Sequence, residues 1–141
     1  MSVPQLGYLC LGENPSDEAG RALIRQFVLV READRMGFDD IWIGEQHGEP
    51  HWPTPGVLSL LGHLAAVTSK ARIGSLPLLP ALHGPEGLAD ELATLALLSK
   101  GRFQLGVASG AALPALLQGR GLEADQAREA MRAFLRRWQD G

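Results

Sequence analysis

Cysteine is nearly missing from this chain: Cys10 is the only one in 141 residues. A lone thiol has no partner within the chain, which excludes a disulfide framework and fits a reducing compartment. Basic runs are missing too. The formal net charge is -3, and Lys and Arg are scattered, so nothing in the chain is written for nucleic acid or an anionic membrane surface. No apolar stretch nears the roughly 20 residues of a membrane-spanning helix. The N-terminal MSVPQLGYLCLGENP lacks the basic start and the long apolar run of a secretion signal. Low-complexity segments and internal repeats are also missing. Together these absences predict a cytoplasmic globular protein with neither nucleic acid nor membrane as a partner.

What is present is a core. At 45% hydrophobic and 21% charged residues, one ordinary domain over residues 1–141 can bury a substantial apolar interior. The 17 glycines and 9 prolines demand many turns, hence many short elements.

Four apolar runs bounded by Gly, Pro or charge read as strands buried on both faces: residues 5–12 (QLGYLCLG), 39–44 (DDIWIG), 71–80 (ARIGSLPLLP) and 102–110 (RFQLGVASG). Between them lie helical periodicities. Residues 17–36 carry Leu23, Ile24, Phe27, Val28, Val30 and Ala33 opposite charges, with Gly37 in position to end the helix. Residues 57–69 are mostly apolar. Residues 85–98 open on Pro85, which a first helical turn tolerates. Residues 124–139 space Ala127, Met131, Phe134, Leu135 and Trp138 helically and end on a basic RRW, suited to the helix dipole.

The order βαβαβαβα predicts an α/β fold: four βα units with parallel strands and right-handed crossovers. Two architectures share it, an open doubly wound sheet and a TIM-type (β/α)8 barrel. The barrel takes about 250 residues, so four units are half of one. Either architecture keeps its chemistry where strands end and loops begin. The richest such place is IWIGEQHGEPHW, residues 41–52, where a buried strand runs straight into two acids, an amide, two histidines and a tryptophan.

Three longer stretches carry a resemblance: READRMGFDDIWIGEQH, then ARIGSLPLLPALHGPEGLADELATLALLSKGRFQLGVASG, then REAMRAFLRRWQDG. Their pattern resembles the bacterial luciferase-like flavin-dependent monooxygenases. It covers essentially the whole chain and the first half of that family's barrel. The resemblance implies a half-barrel domain and reduced FMN, or in some branches the deazaflavin coenzyme. It implies oxygenation of a small organic substrate with O2, and it makes a flavin reductase a candidate partner. The family's second strand ends in Glu-His-His. This chain has Glu45-Gln46-His47, so the resemblance makes Glu45, Gln46 and His47 the catalytic candidates. Gln46 can hydrogen-bond but cannot titrate, and His47 is then the group able to carry a proton near neutrality. The family's fourth strand approaches the flavin, often with an Arg on its phosphate. Ala108, Ser109 and Gly110 stand there, with Ser109 at the Arg position and no charge to offer. The family also carries a cis peptide at the end of its third strand, under the flavin. Leu76 and Pro77 match it, and because a cis X–Pro bond costs under about 1 kcal/mol against about 3 for other residues, Leu76-Pro77 is expected to be cis.

Each of these residues also has a structural reading. Glu45 could pair with an Arg or cap a loop. His47 and His51 are four apart, but Gly48, Pro50 and Pro53 forbid the helix that this spacing needs, and no metal is expected. His51 reads as a loop residue and Trp52 as loop cover or a stacking surface. His63, in LLGHLAAV, reads as a core or interface histidine. His83 precedes a helix start and reads as a turn residue. Tyr8 and Cys10 read as packing. The GVASG loop lacks the GxGxxG spacing of a dinucleotide fold, although an open flavodoxin-like domain with a small phosphate ligand at that loop is a third reading. Against the enzyme stands a non-catalytic half-barrel. Its open edges and apolar inner face demand cover by a second copy or a partner chain.

Overall fold

The computed structural model describes residues 4–12, 19–47, 54 and 56–140. Four parallel strands form one sheet in the order β1-β2-β3-β4: β1 (Gly7–Cys10), β2 (Asp40–Ile43), β3 (Arg72–Leu78) and β4 (Phe103–Val107). Five helices accompany them: α1 (Ala19–Met36), α2 (Val57–Val67), α3 (Pro85–Leu98), α4 (Pro114–Gln118) and α5 (Ala124–Gln139). The expected alternation is thus present, with two refinements. The third strand run stops at Leu78, because Pro80 begins a 3-10 turn, Pro80–Leu82. The five-residue α4, opened by Pro114, interrupts the last connection. It is too short for a periodicity to reveal.

The strands are shorter than their apolar runs and alternate with a period of two, except where the pairing of β3 with β4 shifts register between Ser75 and Leu78. Ile41, Ile43 and Ile73 turn to the helices and are fully buried there. They meet Val30 and Ala33 of α1, Val57, Leu61 and Leu64 of α2, Leu88 and Leu92 of α3, and Phe134 of α5. Burying each large aliphatic side chain contributes about 2 kcal/mol. Tyr8 and Cys10 belong to this packed side as well, Tyr8 edge-on to Phe38.

The alternate residues, Leu9, Asp40, Trp42, Gly74, Leu76, Gln104 and Gly106, turn to the opposite face, the inside of the half-barrel. Two glycines let neighbouring strands interlock there. A Cβ on Gly74 would come within 2.2 Å of the Gln104 carbonyl oxygen, and one on Gly106 within 2.4 Å of the Leu76 side chain. Leu9 and Leu76 remain 49% and 43% exposed on this face.

The N-terminal ends of the strands are tied by polar side chains. Asp34, near the end of α1, accepts backbone N–H bonds from Ser69, Lys70 and Ala71 at 3.0, 2.9 and 2.7 Å, fixing the entry to β3. Burial pushes its carboxyl pKa up, but those N–H donors and the Ser69 hydroxyl outweigh it, and the net shift is down. Arg102, just before β4, donates to the carbonyls of Ala65, Thr68 and Ala71 and to the Thr68 hydroxyl, closing the end of α2. Asp40 and Arg72, direct neighbours across β2 and β3, form a two-pronged pair at 2.7 and 2.9 Å, and Gln104 adds a third donor to Asp40 at 3.0 Å. Gly37 ends α1 with φ +88, letting the Phe38 N–H return to the Ala33 carbonyl.

Candidate functional site

At the other end of the sheet the strands open into loops, and the residue that organises them is Glu45. It follows β2 by two residues, and its side chain is fully buried. One carboxylate oxygen, Oε2, accepts the Leu79 backbone N–H at 2.7 Å. The other, Oε1, lies 2.7 Å from Nε2 of His47 and 2.7 Å from Nε2 of His83. Burial alone would raise the Glu45 pKa, but the hydrogen bonds from His83, His47 and the Leu79 N–H together pull it below the ordinary carboxylate range. Loops from two neighbouring parallel strands thus meet on one anion. His47 comes from the end of β2, and His83 from the turn between β3 and α3. The two Nε2 atoms converge on the carboxylate rather than on a shared open point. Among the described residues no group of three or more His, Cys, Asp or Glu is set to hold a metal ion.

A cleft of about 640 Å³ opens beside this cluster. Glu45, Gln46 and His47 form one side and Leu79 part of the floor. Ala112 to Leu116, Gly119 and Arg120 form the other side. The far wall is apolar, and its one charge is Arg120, whose Nη2 lies 3.4 Å from Nδ1 of His47. Volume and lining match the general form of small-molecule sites, about 300–1,000 Å³ with few convergent polar groups.

The three catalytic candidates, Glu45, Gln46 and His47, therefore share one cleft. The five cofactor candidates stand apart from its lining. Leu76 lies on the inner face of β3 over Gly106. Leu76-Pro77 is cis, as expected. Ala108 follows β4 and donates its N–H to the Leu78 carbonyl at 2.9 Å. The Ser109 hydroxyl accepts the Ala111 N–H at 3.3 Å, and Gly110 is buried with φ +74. All five sit at the C-terminal ends of β3 and β4, next to the cleft's strands. His63 is exposed between α1 and α2, its ring 4.2 Å from that of Phe27, so it packs an interface and not the core. His51, Trp52 and Glu49 lie outside the described residues.

Two cluster members were not singled out from the sequence. His83 reads there as a turn residue, although loops after adjacent parallel strands are neighbours, and that is a usable signal. Arg120, in LLQGRG, belongs to no pattern; only the fold brings it to His47.

The same arrangement of strands and loops is found in known proteins. The model of the luciferase-like monooxygenase family matches residues 4–140. The alkanal monooxygenase beta chain of Photorhabdus luminescens is 31% identical over 86 residues, which are 61% of this chain and 26% of that protein. The F420-dependent glucose-6-phosphate dehydrogenase of Kineococcus radiotolerans is 35% identical over 88 residues, 58% of this chain and 26% of that one. The oxygenating constituent of 3,6-diketocamphane monooxygenase from Pseudomonas putida, solved in complex with FMN, superposes with a TM-score of 0.82 over 92% of this chain and 38% of its own. At 21% identity that likeness speaks for the fold. The chain thus spans well under half the length of these relatives. With a family match along nearly every residue, this chain belongs to the luciferase-like monooxygenases.

Proposed function

We propose that this chain forms the half of a flavin-dependent oxidoreductase site that handles protons, and that the cleft beside Glu45 takes reduced FMN or the reduced deazaflavin coenzyme together with a small organic substrate. The observation that carries the reading is the buried Glu45 carboxylate, holding two histidines at 2.7 Å on the wall of an otherwise apolar cleft. A stability device has no need of an open cleft, whereas a site that moves protons has.

The residues present fit a flavin. The apolar wall from Ala112 to Leu116 suits a planar ring, and the cis Leu76-Pro77 corner and the backbone of Ala108, Ser109 and Gly110 border the same strand ends. Ser109 brings a hydroxyl and no charge to an anionic tail. Among the described residues that line the cleft, Arg120 is the cation within reach of ligand. When bound, the reduced flavin supplies the electrons for activating O2 or for reducing a substrate. The protein's own residues do the rest. His47 accepts or returns a proton, Gln46 offers a hydrogen bond that does not titrate, and Glu45 orients His47. The apolar wall excludes water. A separate flavin reductase is the natural supplier of the reduced cofactor.

A second reading rests on Leu9 and Leu76, half exposed on the inner face of a sheet whose outer strands β1 and β4 have no further strand partner among the described residues. On that reading the chain is a non-catalytic half-barrel whose inner face is covered by a second copy or a partner chain. One experiment separates the two: anaerobic titration of the purified chain with reduced FMN and reduced deazaflavin, with its assembly state measured in the same buffer. Saturable binding that weakens at least tenfold in His47→Gln supports the enzyme. Association without binding of either cofactor supports the interaction module.

A further inference from the structure

The hydrogen bonds around Glu45 fix more than a pocket wall. A carboxylate oxygen only accepts, so each histidine nitrogen that faces Oε1 must carry the proton. Both His47 and His83 face it with Nε2, at 2.7 Å. The other ring nitrogen of His47, Nδ1, faces the guanidinium of Arg120 at 3.4 Å. A guanidinium only donates, so Nδ1 must there be a lone pair. One assignment satisfies every atom: Nε2–H on both histidines, and a bare Nδ1 on His47 at the cleft. The opposite tautomer would set a lone pair against the carboxylate and an N–H against the guanidinium.

We infer that His47 works through Nδ1, and that His83 is the positioning residue that keeps it so. His83 comes from a different loop, so its bond to Oε1, with that of Leu79 N–H to Oε2, pins the carboxylate from the far side. Glu45 can then neither rotate away nor release the His47 Nε2–H. A ligand group in the cleft gives its proton to Nδ1. The ring becomes an imidazolium whose Nε2–H stays on Glu45, and the ligand's new negative charge lies beside Arg120. Among the described residues, the groups facing His47 are Glu45 from its own loop and Arg120 from the segment after α4, with His83 behind the carboxylate from the β3–α3 turn. The inference takes the cleft as the reaction site proposed above, but its central statement concerns this chain's own atoms.

Nitrogen-15 spectra that correlate ring nitrogens with ring carbon-bound protons read the tautomer of each histidine without any cofactor. The chain has four histidines, so single His→Gln variants assign them. In mildly alkaline buffer, wild-type His47 is expected as the Nε2–H tautomer alone. His83→Ala is expected to give a mixture of His47 tautomers. His83→Gln, which can still donate to Glu45, is expected to restore the single form. A protonated Nδ1 on wild-type His47, or an unchanged tautomer in His83→Ala, overturns the inference. The reduced-flavin titration on the same sample keeps the two readings apart. Lost cofactor binding with the expected tautomers counts against the flavin reading alone, and the wrong tautomer in a chain that binds flavin counts against this inference alone.

Discussion

Both ends of the sheet carry a buried, hydrogen-bonded carboxylate, but the two are bonded in different ways. At the N-terminal end, Asp34 and Arg102 each face several backbone partners, and every one of those contacts joins the chain to itself. At the C-terminal end, Glu45 is just as buried and as fully bonded. Two of its donors, however, are imidazoles, and one of those turns its second nitrogen to a cleft and an arginine. Backbone partners cannot titrate, whereas imidazoles can. The comparison shows that a buried, fully bonded carboxylate is not itself a sign of function. The proposed function rests instead on the kind of donor it holds and on what lies behind that donor. In α/β barrels generally the strand C-terminal face carries chemistry and the opposite face stability, and under the proposed function these two carboxylates divide in the same way.

The comparison can be broken by substitution, and the largest effects are expected at the N-terminal end. Asp34→Ala strips a partner from three backbone N–H groups and should lower the unfolding free energy by about 3 kcal/mol, with reduced-flavin affinity unchanged in the folded fraction; urea unfolding and anaerobic titration measure the two. Arg102→Met leaves the α2 end carbonyls without donors and should cost about 2 kcal/mol, again without effect on binding. Glu45→Gln keeps the shape and removes the charge that two histidines share. Stability should fall by about 1–2 kcal/mol, and turnover with reduced flavin should fall far more. His47→Gln, whose amide can still donate to Glu45, should lower stability by about 1 kcal/mol while weakening binding at least tenfold.

Acid sharpens the same contrast. The Asp34 and Glu45 carboxyls are both held below their ordinary range in the folded chain. A lowered folded pKa contributes stability that is full above the unfolded value and is lost as pH falls through the folded one. Wild type should therefore lose stability on acidification below the ordinary carboxylate range. Asp34→Ala and Glu45→Gln should each flatten that limb, which unfolding curves over a pH series would show.

Much of the fold was legible because its signals are local. Apolar runs bounded by Gly and Pro, such as ARIGSLPLLP, and the periodicity around Leu23 to Ala33 need no tertiary knowledge, and their strict alternation left few topologies open. The element that escaped, α4, is a five-residue helix without period. The site was half legible. Glu45, Gln46 and His47 stand together in sequence at a strand end, and the family resemblance pointed to them. His83 lies 38 residues further on and Arg120 lies 73 residues from His47. Only the packing of β2 beside β3, and the path of α4, makes them neighbours. Asp34 was hidden for the same reason: its partners at 69–71 lie across the chain, and an Asp near a helix end reads as a solvated charge.

Under the proposed function the polar network at the strand C-terminal ends binds and works, while the one at the N-terminal ends only stabilises. The most direct test is to measure reduced-flavin affinity and urea midpoint side by side for His47→Gln and Asp34→Ala. His47→Gln is expected to lose affinity with only a small drop in midpoint, and Asp34→Ala to show the larger drop in midpoint and keep its affinity. Equal affinity in both variants, or lost affinity in Asp34→Ala with an unchanged His47→Gln, would contradict that division.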